Sequence, residues 1–252
     1  MKRNYSKHIL MALLAILLVG CVSSKKITYF QNDSGRKLDE KLINYEPTLQ
    51  IGDILSINVA SMSPEAAQPF NLFESQGSNN QRPLPYIINA DGEINFPSIG
   101  KFKVTGLTTK QVTNELTKRL LPYLNDPIIN VRLVNFKITV LGEVRNPGSY
   151  NIQNERITII EAIGLAGDLN IQGKRNTITL IREQNGERSI IPIDITNNKI
   201  FNSPYYYMAQ NDVIYVEPNK SRVNSSGVGT NTSVLLSALS LLISIAAIIV
   251  LR

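Results

Sequence analysis

Apolar and polar positions divide the chain into three regimes. A short apolar run over residues 9–19 follows the basic residues Lys2, Arg3 and Lys7. A long middle region, residues 47–217, alternates brief apolar stretches with turn residues. A second apolar run, residues 233–251, carries no charge and precedes Arg252.

The middle region predicts an α+β arrangement. A Gly52-Asp53 turn feeds Ile54-Leu-Ser-Ile-Asn-Val59, whose period of two is that of a half-buried strand. Residues 62–85, rich in Ser, Asn, Gln and Pro, read as a long loop, and short strands follow on either side of an Asp91-Gly92 turn. Thr108 and Gln111 have the spacing of a helix capping box, and Val112, Leu116 and Leu120 recur on one face, so a helix runs from there to Pro122. Asp126-Pro127 turns into a strand over residues 128–134.

Residues 138–150 read I-T-V-L-G-E-V-R-N-P-G-S-Y. A strand breaks at Gly142 and turns at Asn146-Pro147-Gly148, where Pro presets φ and Gly permits a positive one. An extended piece through Tyr150 and Ile152 leads to a helix over residues 157–166, closed by Gly167. Two alternating strands then meet at Asn185-Gly186, a hairpin signal. Gln210-Asn-Asp212-Val-Ile repeats the pattern Gln50-Ile-Gly-Asp53-Ile-Leu, so each Asp is expected to bond its own turn backbone. Tyr205, Tyr206 and Tyr207 offer rings that could stack on sugars, but alternate strand directions favour the core or a subunit interface.

Composition narrows the chemistry. Of 26 basic residues, Lys2, Arg3 and Lys7 lie in the leader; the remainder nearly balance 20 acidic residues, and no basic stripe with interleaved aromatics argues for nucleic acid. His8 and Cys21 are the only histidine and cysteine. Cleavage before Cys21 would remove His8 and commit the thiol, excluding Ser-His-Asp and Cys-His catalysis, histidine-ligated metals and disulfides. Asp91/Glu93 and Glu183/Glu187 flank turns and read as solvated carboxylates rather than acid–base pairs. The expectation is no catalytic residue, no metal site and no cofactor: not an enzyme.

Residues 1–20 read as a signal peptide. Leu18-Val19-Gly20-Cys21 resembles the bacterial lipobox, which makes Cys21 the lipidation site, and several acyl chains suffice for stable anchoring. Val22 after the cysteine favours the outer membrane, and the Ser-Ser-Lys-Lys that follows lacks the acidic mark of surface export, so the body faces the periplasm. Residues 21–46 read as a lipid-anchored tether and 218–232 as a flexible Ser/Asn/Gly linker.

Residues 233–252 read as a single C-terminal transmembrane helix. The nineteen residues 233–251 rise about 28 Å against a hydrocarbon core of ~30 Å, with Arg252 as the membrane-interface anchor. Ser233, Ser237, Ser240, Ser244 and Ala247 fall on one stripe, either a small-residue seam for helix packing or the hydroxyl-lined wall of a pore.

Several ordered segments carry a family resemblance. L-Q-I-G-D-I-L-S-I-N-V, N-A-D-G-E-I-N-F-P-S-I-G, V-T-G-L-T-T-K-Q-V and Y-L-N-D-P-I-I-N-V resemble in order the polysaccharide export (PES) domain, over residues 47–135. V-L-G-E-V-R-N-P-G-S-Y with I-T-I-I-E-A-I-G-L-A-G resembles the start of an SLBB domain (soluble-ligand-binding β-grasp), over residues 136–217. The pair is similar to the Wza-like outer-membrane polysaccharide export lipoproteins. The resemblance implies a ring-forming homo-oligomer of about eight copies, each giving a C-terminal helix to an outer-membrane pore. It also implies an inner-membrane polysaccharide copolymerase, often a tyrosine autokinase, as partner, alongside the polysaccharide and membrane lipids. The expected function is passive export of capsular or exopolysaccharide from periplasm to cell surface. The alternative is a periplasmic carbohydrate-binding or adaptor lipoprotein that docks to a separate β-barrel exporter.

Overall fold

The computed structural model describes residues 27–31, 45–75, 81–184, 186–227 and 230–251. The signal peptide and Cys21 lie outside the described residues, as do most of the tether, Asn185 and Arg252.

Two hydrophobic cores organise the molecule, one in each lobe, and Leu133 packs against both. In the first lobe, β1 (Ile54–Ala60) buries Leu55, Ile57 and Val59 on one face, as its alternation requires. It is the centre of an antiparallel three-stranded sheet in the order β4-β1-β7, with β4 at Tyr86–Ile87 and β7 at Ile128–Leu133. Between β1 and β4 the expected long loop in fact holds structure. A helical turn α1 (Pro64–Ala67) runs into a 3-10 turn, and β2 (Phe73–Ser75) pairs with β3 (Gln81–Pro83). Ala67 and Phe70 reach the core from a segment whose polar composition hides them.

β5 (Glu93–Phe96) and β6 (Gly100–Lys103) form a small hairpin. Helix α2 (Thr109–Leu120) starts at the expected capping box and packs on β7. Thr108 Oγ1 accepts from Gln111 N–H at 3.2 Å, and Gln111 Oε1 accepts from Thr108 N–H at 2.8 Å. Val112, Leu116 and Leu120 are fully buried.

The second lobe is a five-stranded sheet in the order β11-β10-β12-β8-β9. Its strands are β8 (Lys137–Gly142), β9 (Gly148–Asn151), β10 (Gly173–Gln184), β11 (Glu187–Ile193) and β12 (Val213–Pro218). β8 and β12 pair in parallel and every other contact is antiparallel. Helix α3 (Ile159–Leu165) is capped by Thr158 and Glu161 and buries Ile159, Ala162 and Ile163 against the sheet. Gly142 ends β8 with φ +89°, and a Cβ there would lie 2.1 Å from the Val216 carbonyl oxygen. Only glycine fits both the turn and that approach. Gly148, expected to use a positive φ, does not; it already belongs to β9.

The linker expected over residues 218–232 is partly helical, at α4 (Lys220–Gly227). The expectation of a C-terminal transmembrane helix is corrected. Helix α5 (Thr230–Leu251) forms, but no helix among the described residues is long and apolar enough to cross a membrane. Along it Ser237, Ser240 and Ser244 lower the apolar character. The described residues therefore form a two-lobed α+β body with no helix long and apolar enough to span a membrane.

Candidate functional site: the cleft between the lobes

The lobes are joined by two side-chain amides. Asn135 Oδ1 accepts from Ile54 N–H at 2.9 Å, and its Nδ2 donates to the Gly52 carbonyl at 3.2 Å. Gln210 Nε2 donates to the Asn135 carbonyl at 2.8 Å, and its Oε1 accepts from Lys137 N–H at 2.7 Å. The chain crossing between lobes is thus held from both sides by bonds whose loss leaves partly buried groups unpaired. Nothing in the sequence singled out Asn135, because its partners are distant along the chain.

A cleft of about 1120 Å³ opens beside this crossing. One bank is β7 with Thr109, Lys110 and Thr113 of α2; the other is residues 153–156 with Tyr206 and Tyr207. Lys110, Arg132 and Arg156 line it together with Glu46, Glu155 and Glu161, so the walls carry both signs of charge. Such a lining suits many weak contacts rather than one tight ligand.

The tyrosines are already engaged. Tyr45 stacks on Tyr207 with centroids 5.0 Å apart and planes within 6°, and the Arg156 guanidinium lies 5.4 Å from the same ring. Tyr206 meets Tyr207 edge-on at 5.1 Å and Phe201 at 5.6 Å. Burial pushes the Tyr45 and Tyr206 hydroxyls up from their ordinary range. Tyr206 and Tyr207 are half-buried and engaged in packing.

Beneath the cleft, Arg182 and Asp212 form a buried pair. Asp212 also accepts from Ala209 N–H at 2.7 Å, while Asp53 accepts from Gln50 N–H at 2.9 Å. The two aspartates therefore close matching turns, as the repeated sequence pattern implies. Arg182 Nη2 donates to the Tyr207 carbonyl at 2.9 Å, which fixes the tyrosine loop. Burial pushes the Asp212 carboxyl up, against the pull of Arg182 and Ala209 N–H.

Part of the expected tether is docked. Phe30 N–H donates to the Ile195 carbonyl at 3.2 Å and Gln31 N–H to the Thr196 carbonyl at 2.6 Å. Tyr29 Oη donates to Asp168 at 2.5 Å, with the Arg175 guanidinium 5.4 Å from its ring. Burial and the Asp168 bond push the Tyr29 hydroxyl up to about 12. A polar, unpatterned sequence gave no sign of this attachment.

Of the other expected site residues, Cys21 and Arg252 lie outside the described residues, as do the side chains of Ser233 and Ala247. Ser237, Ser240 and Ser244 are exposed on α5. Ser240 Oγ donates to the Ser237 carbonyl and Ser244 Oγ to the Ser240 carbonyl, both at 2.8 Å, so these hydroxyls serve the helix's own backbone. Among the described residues no group of three or more His, Cys, Asp or Glu is placed to hold a metal ion.

Both lobes match known family models. The family model described as polysaccharide biosynthesis/export protein matches residues 43–134, and the SLBB domain model matches residues 137–194. The EPS I polysaccharide export outer membrane protein EpsA of Ralstonia solanacearum is 33% identical over 116 residues, 41% of this chain and 30% of that protein. The protein of the same name from Ralstonia nicotianae is 32% identical over 72 residues, 27% of this chain and 19% of that protein. The chain thus spans less than a third of the length of these relatives. With a PES domain followed directly by an SLBB domain, the chain belongs to the Wza-like polysaccharide export family.

Proposed function

We propose that this chain is a subunit of an outer-membrane assembly for export of capsular or exopolysaccharide, anchored by lipid on Cys21 with its body in the periplasm. The observation that carries the reading is the matched pair of export and SLBB domains, joined through Asn135 and Gln210 around a cleft of mixed charge. Several copies, about eight by family resemblance, would enclose a passage built from these two domains. Its action is passive: a passage lined by polar groups contacts a hydroxyl-rich polymer weakly at many points and does not stall it. The drive comes from polymer synthesis and an inner-membrane copolymerase. Outer-membrane placement follows the likeness to the two export proteins named above.

The test is deletion in the native cell, with surface and periplasmic polymer measured separately. Loss of surface polymer with periplasmic accumulation, reversed by the wild-type chain and not by Cys21→Ser, is the expected result. Surface polymer at wild-type level after deletion would overturn the export role. Export that persists with Cys21→Ser would overturn the lipid anchor alone.

A further inference from the structure

The hydrogen-bond register of the first sheet leaves one edge open inside the cleft. Val134 N–H donates to the Ile54 carbonyl, so the residues of β7 that bond β1 are Ile128, Asn130 and Arg132. The N–H and C=O groups of Ile129, Val131 and Leu133 therefore point away from β1, and all three residues line the cleft. None of these groups finds a partner among the described residues. Elsewhere the same sheet covers its open groups. Asn71 Oδ1 accepts from Val59 N–H at 2.9 Å and its Nδ2 donates to the Val59 carbonyl at 2.8 Å. Asn135 does the same for Ile54 N–H. At β7 no described residue provides such a cover, and an uncovered antiparallel edge is a template for another strand.

The other lobe ends in a matching edge. Thr139 N–H bonds the Asp212 carbonyl and Glu143 N–H the Val216 carbonyl, which turns Val213 and Tyr215 of β12 toward β10. Carried across β10, this register points Ser189, Ile191 and Ile193 of β11 inward and Arg188, Ile190 and Pro192 outward. Pro192 lacks an N–H at an outward position, where the internal ladder loses nothing. Ile190 is 69% exposed on this edge.

We propose that the free edge of β7 receives β11 of a second copy of this chain, extending the three-stranded sheet from one copy to the next. This rests on the assembly reading above and assigns the surfaces it uses. The antiparallel register Arg188 to Leu133, Ile190 to Val131 and Pro192 to Ile129 pairs every outward group except at the missing Pro192 N–H. It places exposed Ile190 beside apolar Val131. It also sets Glu187, exposed and carboxylate-bearing, diagonal to Arg132 on the opposite sheet face. The two edges belong to different lobes, so each copy gives one and takes one. That is a heterologous contact, which closes into a ring when its rotation allows.

The register makes Arg132 and Ser189 a non-hydrogen-bonded pair, the geometry in which cross-strand side chains come closest. Full-length protein carrying Arg132→Cys and Ser189→Cys, extracted in mild detergent and oxidised, is expected to give a ladder of disulfide-linked copies; neither single variant gives one. Ile190→Pro removes an outward N–H and leaves the β10 ladder intact, so the variant folds but assembles only at roughly tenfold higher concentration. Particles of unchanged size by light scattering, with no ladder or with one from a single variant, would overturn the edge pairing and leave the assembly reading standing. So would Ile190→Pro assembling at the wild-type concentration. Monomers at every concentration would overturn both.

Discussion

Arg182 grips Asp212 in the interior of the second lobe: Nε lies 3.0 and 3.2 Å from the two carboxylate oxygens and Nη2 lies 2.6 Å from one of them. The side chains are 9% and 0% exposed, so each charge depends on the other for solvation. Removing one partner strands the other, which costs far more than the pair itself contributes. Asp212→Ala is expected to lose about 3–5 kcal/mol in urea unfolding. An Arg182→Met, Asp212→Leu double variant should recover much of that. A double variant as unstable as the single one would show that the lost bonds to Ala209 N–H and the Tyr207 carbonyl, not the stranded charge, set the cost.

Asp53 links stability to pH. Its side chain is buried and burial pushes the carboxyl up to about 6, opposed by the Gln50 N–H bond. The folded state holds this proton more tightly than the unfolded chain, whose carboxyl titrates near 4. The stabilising contribution is complete below pH ~4 and disappears as pH rises through 6. It amounts to at most about 3 kcal/mol. Asp53→Asn keeps an acceptor for Gln50 N–H but cannot titrate. Its unfolding midpoint should change less than the wild type's between pH 4 and 7, and an identical change in both would refute the assignment.

Gly142 tests the parallel pair at the centre of the second sheet. A methyl group there meets the Val216 carbonyl at 2.1 Å and also forces a positive φ on an L-residue. Gly142→Ala is expected to cost more than 3 kcal/mol, with amides of β8 and β12 losing hydrogen-exchange protection first. Gly148→Ala is the control: its Cβ would meet nothing within 4 Å and its φ is not positive, so its cost should be under about 1 kcal/mol.

Tyr29 fastens the N-terminal segment to the second lobe. Tyr29→Phe removes the bond to Asp168 and keeps the ring beside Arg175. The expected loss is about 1 kcal/mol of local stability, read as faster protease cleavage near residue 30 with global unfolding nearly unchanged. Equal cleavage rates would show that Phe30 and Gln31 alone hold the segment.

Much of the fold was legible in the order of residues. The capping box at Thr108 and the alternation of β1 are local, because helix starts and strand faces follow from neighbours a few positions apart. The turn aspartates Asp53 and Asp212 are legible for the same reason. The site was less so. Asn135 and Gln210 bond across 75 residues, and Tyr29 reaches Asp168 across 139. Pro192 reads as a strand flaw until the register shows its nitrogen facing outward.

The sequence by itself determined the two-domain order, the family, the main turns and the narrow chemistry of a chain with one histidine and one cysteine. These are properties of composition and of short-range pattern. Tertiary structure decided that the tyrosines pack on one another, that residues of the tether dock, and that β7 opens into the cleft. It also removed the spanning helix read from hydropathy, since no described helix is long and apolar enough to cross a membrane. The reason is common to all of these. Which groups remain unpaired, and which face a neighbour, depends on strand register and on contacts between distant residues, which local pattern does not encode.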